Sequence, residues 1–180
     1  MNYKLVPYSV KLAEVRSLVG SCQDSLPTKV CQQFFEAEHQ KHPIGVDTNS
    51  DLFDALVELI DGENLDPDRG YHYGYALQAM CEYLGTRLES NNWNQVKWIT
   101  LEDTGLNAVM GKGSPIALPL IPDFPTIGHL SNKKIRQLIE EPKGNSLKIE
   151  SDEVHGFLRD FDSWVQQAYT DKTDLVFFYY

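Results

Sequence analysis

Carboxylates, imidazoles and phenols are the side chains here that can carry chemistry, and they are unevenly placed. From Glu36 to Asp68, ten acids (Glu36, Glu38, Asp47, Asp51, Asp54, Glu58, Asp61, Glu63, Asp66 and Asp68) stand against one base, Lys41. On a helix, Asp51, Asp54, Glu58 and Asp61 share an arc of roughly 80°, with Leu52, Phe53, Leu56, Leu59 and Ile60 on the opposite side. The pattern predicts a helix with one buried face and one stripe of four carboxylates. Like charges one turn apart repel by ~0.2–0.5 kcal/mol per pair. Such a stripe is either a solvated face or a docking surface for a basic protein, where complementary charge speeds association.

The other candidates are sparser. His39 and His42, with Glu36 and Glu38 nearby, can approach a divalent metal, but Pro43 ends the helix there and no third ligand is in reach, so no metal site is expected. Tyr71-His72-Tyr73-Gly74-Tyr75 places three phenols and an imidazole at a helix N-terminus, where they either line a pocket or pack. Asp123 and His129 on a proline-stiffened stretch are permissible acid–base partners, and with Tyr71, His72 and Tyr73 they outline a second possible site. Gly111-Lys112-Gly113-Ser114 lacks the GxxxxGK[ST] spacing of a phosphate loop. No GxSxG or HExxH is present, so no catalytic signature is readable and no cofactor is expected.

The totals narrow the classes. A chain of 180 residues with 42% apolar residues predicts one domain, 1–180, with a substantial core. A formal net charge of −10 argues against nucleic acid and against an anionic membrane as partners. The start of the chain carries no apolar signal region, and three cysteines (Cys22, Cys31, Cys81) without CxxC spacing read as reduced thiols, which together predict a cytoplasmic protein.

The elements that must position these residues follow from periodicity. Tyr71 to Leu88 carries Tyr73, Leu77, Met80, Cys81, Leu84 and Leu88 on one face and predicts a central helix over 71–88, with Gly74 and Gly85 as points of close approach or bending. Further helices are expected from Leu12 to Gly20, from Leu26 to about Ala37, over 51–61 ending at Gly62, from Ser131 to Pro142, and from Ser151 through Val154, Phe157, Leu158, Phe161, Val165 and Ala168. A weak helix over 101–110 and a short strand over 147–149 are also readable. Residues 3–10 and 174–180 read as strands that pair with each other, with Pro7 pushing the first toward a sheet edge. Residues 111–125, rich in proline and glycine, leave no regular element, although Ile116 to Ile121 can lie as an extended edge. The expectation is α+β: a mostly helical domain of about six helices around the central one, with a small sheet joining the termini.

Tyr73-Gly74-Tyr75-Ala76-Leu77 with Cys81 and Leu84-Gly85, the Asp123-Phe124-Pro125…Gly128 stretch and the terminal Phe178-Tyr179-Tyr180 resemble a family of small bacterial proteins classed as a domain of unknown function. The resemblance implies a bacterial, intracellular, single-domain protein and brings no activity with it. The functional expectation is a non-enzymatic acidic binding protein, of the immunity or antitoxin type. It would use Asp51, Asp54, Glu58 and Asp61 to cover a basic partner such as a toxin, as a monomer or small homo-oligomer. The alternative is a small enzyme or ligand-binding domain with a pocket near His72, Asp123 and His129.

Overall fold

Leu175 to Tyr179 is apolar at every position, so alternation cannot put one side of this strand in water; both faces must be covered. The computed structural model, which describes residues 4–39, 49–90, 102, 106–122, 125–140 and 152–180, places this strand inside a four-stranded antiparallel sheet. In chain order the elements are β1 (Leu5–Val10), α1 (Leu12–Leu18), α2 (Leu26–His39), α3 (Asn49–Asp61), a 3-10 turn (Pro67–Arg69), α4 (Gly70–Leu84), β2 (Thr86–Arg87), α5 (Asn107–Met110), β3 (Thr126–Leu130), α6 (Asn132–Glu140), α7 (Asp152–Asp171) and β4 (Asp174–Tyr179). The sheet order is β2-β1-β4-β3. The fold is α+β, with the first and last strands paired as expected.

The chain forms two compact units. A sheet unit comprises Met1–Leu12, Arg87–Pro115 and Thr126–Tyr180; a helical unit comprises Ala13–Thr86 and Ile116–Pro125. In the sheet unit, the register Leu5↔Tyr179 and Pro7↔Phe177 puts Leu5, Pro7, Leu175, Phe177 and Tyr179 on one face. There Phe161 and Trp164 of α7 pack on Phe177, at ring separations of 6.3 and 6.1 Å. Tyr8 and Phe178 meet edge to face on the other side, 5.7 Å apart.

Pro7 does not mark an edge. Lys4 and Tyr180 exchange both backbone hydrogen bonds, so Val6, Tyr8 and Val10 hold the β1–β4 ladder and Pro7 points away from it. Its missing N–H therefore breaks no bond to β4, and its carbonyl accepts from Leu88 N–H on the β2 side. β3 was not legible as a strand: Thr-Ile-Gly-His-Leu is short and carries a glycine. Gly128 is required there, because a Cβ would come within 2.7 Å of the Met110 Cα in α5.

The central helix stops at Leu84, four residues short of the expected 88. Gly85 turns to an extended conformation and gives its N–H to the Cys81 carbonyl, and Leu88 is buried by strand pairing rather than on a helix face. Gly74 does serve a close approach: a Cβ there would lie 3.0 Å from Pro125, and one on Gly70 would lie 2.4 Å from the Leu120 carbonyl oxygen. Residues 116–122 contain no regular element and lie across this glycine pair. On α6, Ile135 is fully buried, but Leu138 is exposed instead of continuing its face. His42, Asn91 to Leu101, Asp123, Phe124, residues 147–149 and Ser151 lie outside the described residues.

One side chain absent from any sequence motif starts two helices. Asp174, at the head of β4, accepts from the N–H of Leu12 with Oδ2 (2.8 Å) and from the N–H of Asn132 with Oδ1 (2.7 Å), the first residues of α1 and α6. Each donor is an orphan of a helix N-terminus, where a carboxylate also meets the positive end of the dipole. Asp174→Ala removes both acceptors and is expected to cost ~2–4 kcal/mol by urea unfolding, from two caps of about 1–2 kcal/mol each. Gly70→Ala is expected to destabilise by ~1 kcal/mol or more, against the usual helix-interior gain of Ala over Gly, because its methyl meets backbone.

Candidate functional site

The acidic helix α3 buries Leu52, Ala55, Leu56, Leu59 and Ile60, and Asp51, Asp54 and Asp61 are exposed. Phe53 does not join the buried face; it is 37% exposed, about 100° around the helix from the centre of that face. The end of α3 is closed by a distant loop. The last four carbonyls of a helix have no partner within it. Here Glu58 accepts from Glu63 N–H, Leu59 from Gly20 N–H and Ile60 from Cys22 N–H, while the Cys22 thiol lies 3.6 Å from the Asp61 carbonyl. Gly20 and Gly62, both with positive φ, make this fit possible, since a Cβ on Gly62 would come within 2.9 Å of the Gly20 Cα.

Glu58 is not part of an open stripe. It sits within the carboxylate arc, about 20° from Asp51, where Arg69 Nη1 donates to Oε1 and the Tyr73 hydroxyl donates to Oε2. The same hydroxyl accepts from the Asp66 backbone N–H at 2.9 Å, and the Arg69 guanidinium lies 5.8 Å from the centre of the Tyr73 ring. The expected stripe of four free carboxylates is therefore corrected: Asp51, Asp54 and Asp61 are exposed, and Glu58 is held by the protein's own arginine. Arg69 has no sequence signal as a partner because it stands in a separate turn after the end of α3, where helical spacing no longer relates it to Glu58. Burial alone would lower the pKa of Arg69, but the charge and hydrogen bond of Glu58 outweigh it and hold it above its ordinary value. Burial, and then the bond to Glu58, push the Tyr73 phenol above 10.0.

The remaining predicted residues separate. Tyr73 is wholly enclosed and cannot line an open pocket. Tyr71 is exposed, its ring 3.9 Å from that of His72. His72 is mostly enclosed, with Nδ1 accepting a long contact (3.5 Å) from Arg69 Nε and Nε2 3.6 Å from the Asp51 carboxylate. With Nδ1 facing a donor, Nε2 is the nitrogen that carries a hydrogen toward Asp51. His129 belongs to the sheet unit, on β3, where Nδ1 donates to the Gly113 carbonyl at 2.9 Å. Asp123 is outside the described residues, so the structure gives no grouping of His72, Asp123 and His129. No helix follows Gly113 through residue 122, unlike the context of a phosphate loop. Among the described residues no three His, Cys, Asp or Glu side chains converge in a metal-holding group. All three thiols are free: Cys22 is exposed, and Cys31 and Cys81 are buried. No helix of the described residues is long and apolar enough to cross a membrane.

Charge divides between the units. The helical unit has fourteen acidic residues against four basic ones, and the sheet unit has twelve of each, so the whole formal charge of −10 resides on the helical unit. A family described as Domain of unknown function (DUF7691) matches residues 1–180. The chain belongs to the DUF7691 family. No curated protein and no solved structure matches it. For this DUF7691 member, what the site can do thus follows from its own geometry: an anionic helix face with Glu58 fixed, Asp51 beside His72, and Asp54 and Asp61 open, near an exposed aromatic.

The network gives stability a defined alkaline dependence. Tyr73, with its pKa above 10.0, and Cys31, pushed by burial from 9.0 to about 11, keep protons that the unfolded chain releases first. Their contribution is therefore intact below about pH 9 and falls as pH rises, through about 11 for Cys31 and above 10.0 for Tyr73. The urea midpoint is expected to drop between pH 9.0 and about 11, and less steeply in Cys31→Ala. Tyr73→Phe at pH 7 is expected to cost ~1–2 kcal/mol, from the two hydrogen bonds lost.

Proposed function

We propose that this protein is a non-enzymatic binding protein that covers a basic surface of a protein partner, in the manner of an immunity protein or antitoxin, as a monomer or small homo-oligomer. The observation that carries the reading is the confinement of all the net charge to the helical unit, together with the exposure of Asp51, Asp54 and Asp61 on one side of α3. Those three are backed by a buried apolar face and by the Glu58–Arg69 pair, so they are presented on a rigid support. Pre-placed charge of one sign steers an oppositely charged partner and loses little entropy on contact. The alternative, an enzyme or ligand pocket around His72, Asp123 and His129, draws on no observation in the described residues.

The test is charge reversal at the open carboxylates. Asp54→Lys together with Asp61→Lys is expected to leave stability within ~0.5 kcal/mol, as for exposed positions generally. It should weaken binding to a partner co-purified from the native host by about tenfold or more, and the wild-type affinity should fall as salt is raised. Unchanged affinity in the double variant removes the proposal.

A further inference from the structure

Four of the five exposed large apolar side chains of the described residues lie on the acidic unit: Phe53, Tyr71, Tyr75 and Leu120. Leu120 is 84% exposed, Tyr71 45% and Tyr75 36%. Tyr71 and Tyr75 are one helical turn apart on α4, on the flank next to Gly70 and Gly74. The backbone carbonyl of Leu120 rests on Gly70, the residue before Tyr71, on a segment held by close contact. Carboxylates are close at hand: Asp51 stands 3.6 Å from the imidazole that lies tilted against Tyr71, and Asp66 and Asp68 are exposed in the turn that leads into α4. Charge kept for solubility alone would not be joined by a projecting leucine and two tyrosines, since contiguous apolar surface works against solubility.

The chemistry that fits an exposed aromatic face bordered by carboxylates is the guanidinium group. It is planar, stacks on rings and pairs with carboxylates, whereas an ammonium is a compact, strongly hydrated point charge. We propose that Tyr71, Tyr75 and Leu120 form the anchoring patch at which arginine side chains of a basic protein partner dock, stacked on Tyr71 and paired with Asp51. The proposal rests on the reading of a basic partner given above and adds which cation is chosen and by which side chains.

Fluorescence anisotropy of the full chain with labelled hexa-arginine and hexalysine peptides separates the two ideas. Hexa-arginine is expected to bind about fivefold or more tightly than hexalysine. Tyr71→Ala should bring the two affinities together by weakening only hexa-arginine, Tyr71→Phe should keep the preference, and Leu120→Ser should reduce it. Asp51→Asn should weaken both peptides. Equal affinities in the wild type, or an arginine preference untouched by Tyr71→Ala, overturn this inference and leave the acidic-surface reading standing. Binding of neither peptide overturns both.

Discussion

The side of α3 that faces out is set by one carboxylate that faces in. Glu58 is gripped by a guanidinium and a phenol that both belong to the start of α4 and the turn before it. A half-buried carboxylate without such partners would carry a large desolvation cost, so the rotation of α3 is fixed about this point. Everything around the site inherits that constraint. Asp54 and Asp61 are turned to solvent, Asp51 is brought to His72, and Tyr71 is held next to that imidazole. The Asp66 backbone, tied to the same phenol, anchors the loop between the two helices.

Local rules made much of this readable. The boundaries of α1, α3 and the last strand followed from caps, glycines and apolar spacing, and the pairing of the first and last strands followed from the need to bury five consecutive apolar residues. What escaped were features decided by distant partners. Glu58 has the same sequence pattern as Asp54, and only the arrival of Arg69 separates an occupied acid from an open one. The length of α4 was overestimated because Leu88 falls on the helical period by coincidence, its burial being due to pairing with β1. Phe53 was placed inside because a helical wheel has no sharp edge. β3 was lost because a five-residue strand with a glycine looks like a turn until α5 is seen pressing on that glycine.

The two units differ in how they are held. The sheet unit is charge-balanced and depends on aromatic packing over β4 and on Asp174, a single side chain that serves two helix starts. The helical unit carries the unbalanced charge and depends on glycines: Gly20 against Gly62, and Gly70 and Gly74 beneath the proline segment. Self-repulsion among fourteen acids is a standing cost to compactness. These close backbone contacts, together with the closed end of α3, oppose it with one basic side chain, Arg69, engaged on α3, which leaves Asp54 and Asp61 uncompensated.

The place of β4 in the sheet has a consequence for how the molecule comes into being. This strand lies between β1 and β3 yet follows every other described element in the chain, and Ser9 bonds Thr173 across 164 positions. A ribosome therefore releases β1 and β3 long before the strand that joins them exists. The helical segments 13–86 are made of nearer-neighbour contacts and can collapse while synthesis continues, whereas the sheet must wait for its middle. Until then the side of β1 that takes β4 is an unpaired apolar edge, and the nascent chain is at its most adhesive in the interval before residues 174–179 emerge.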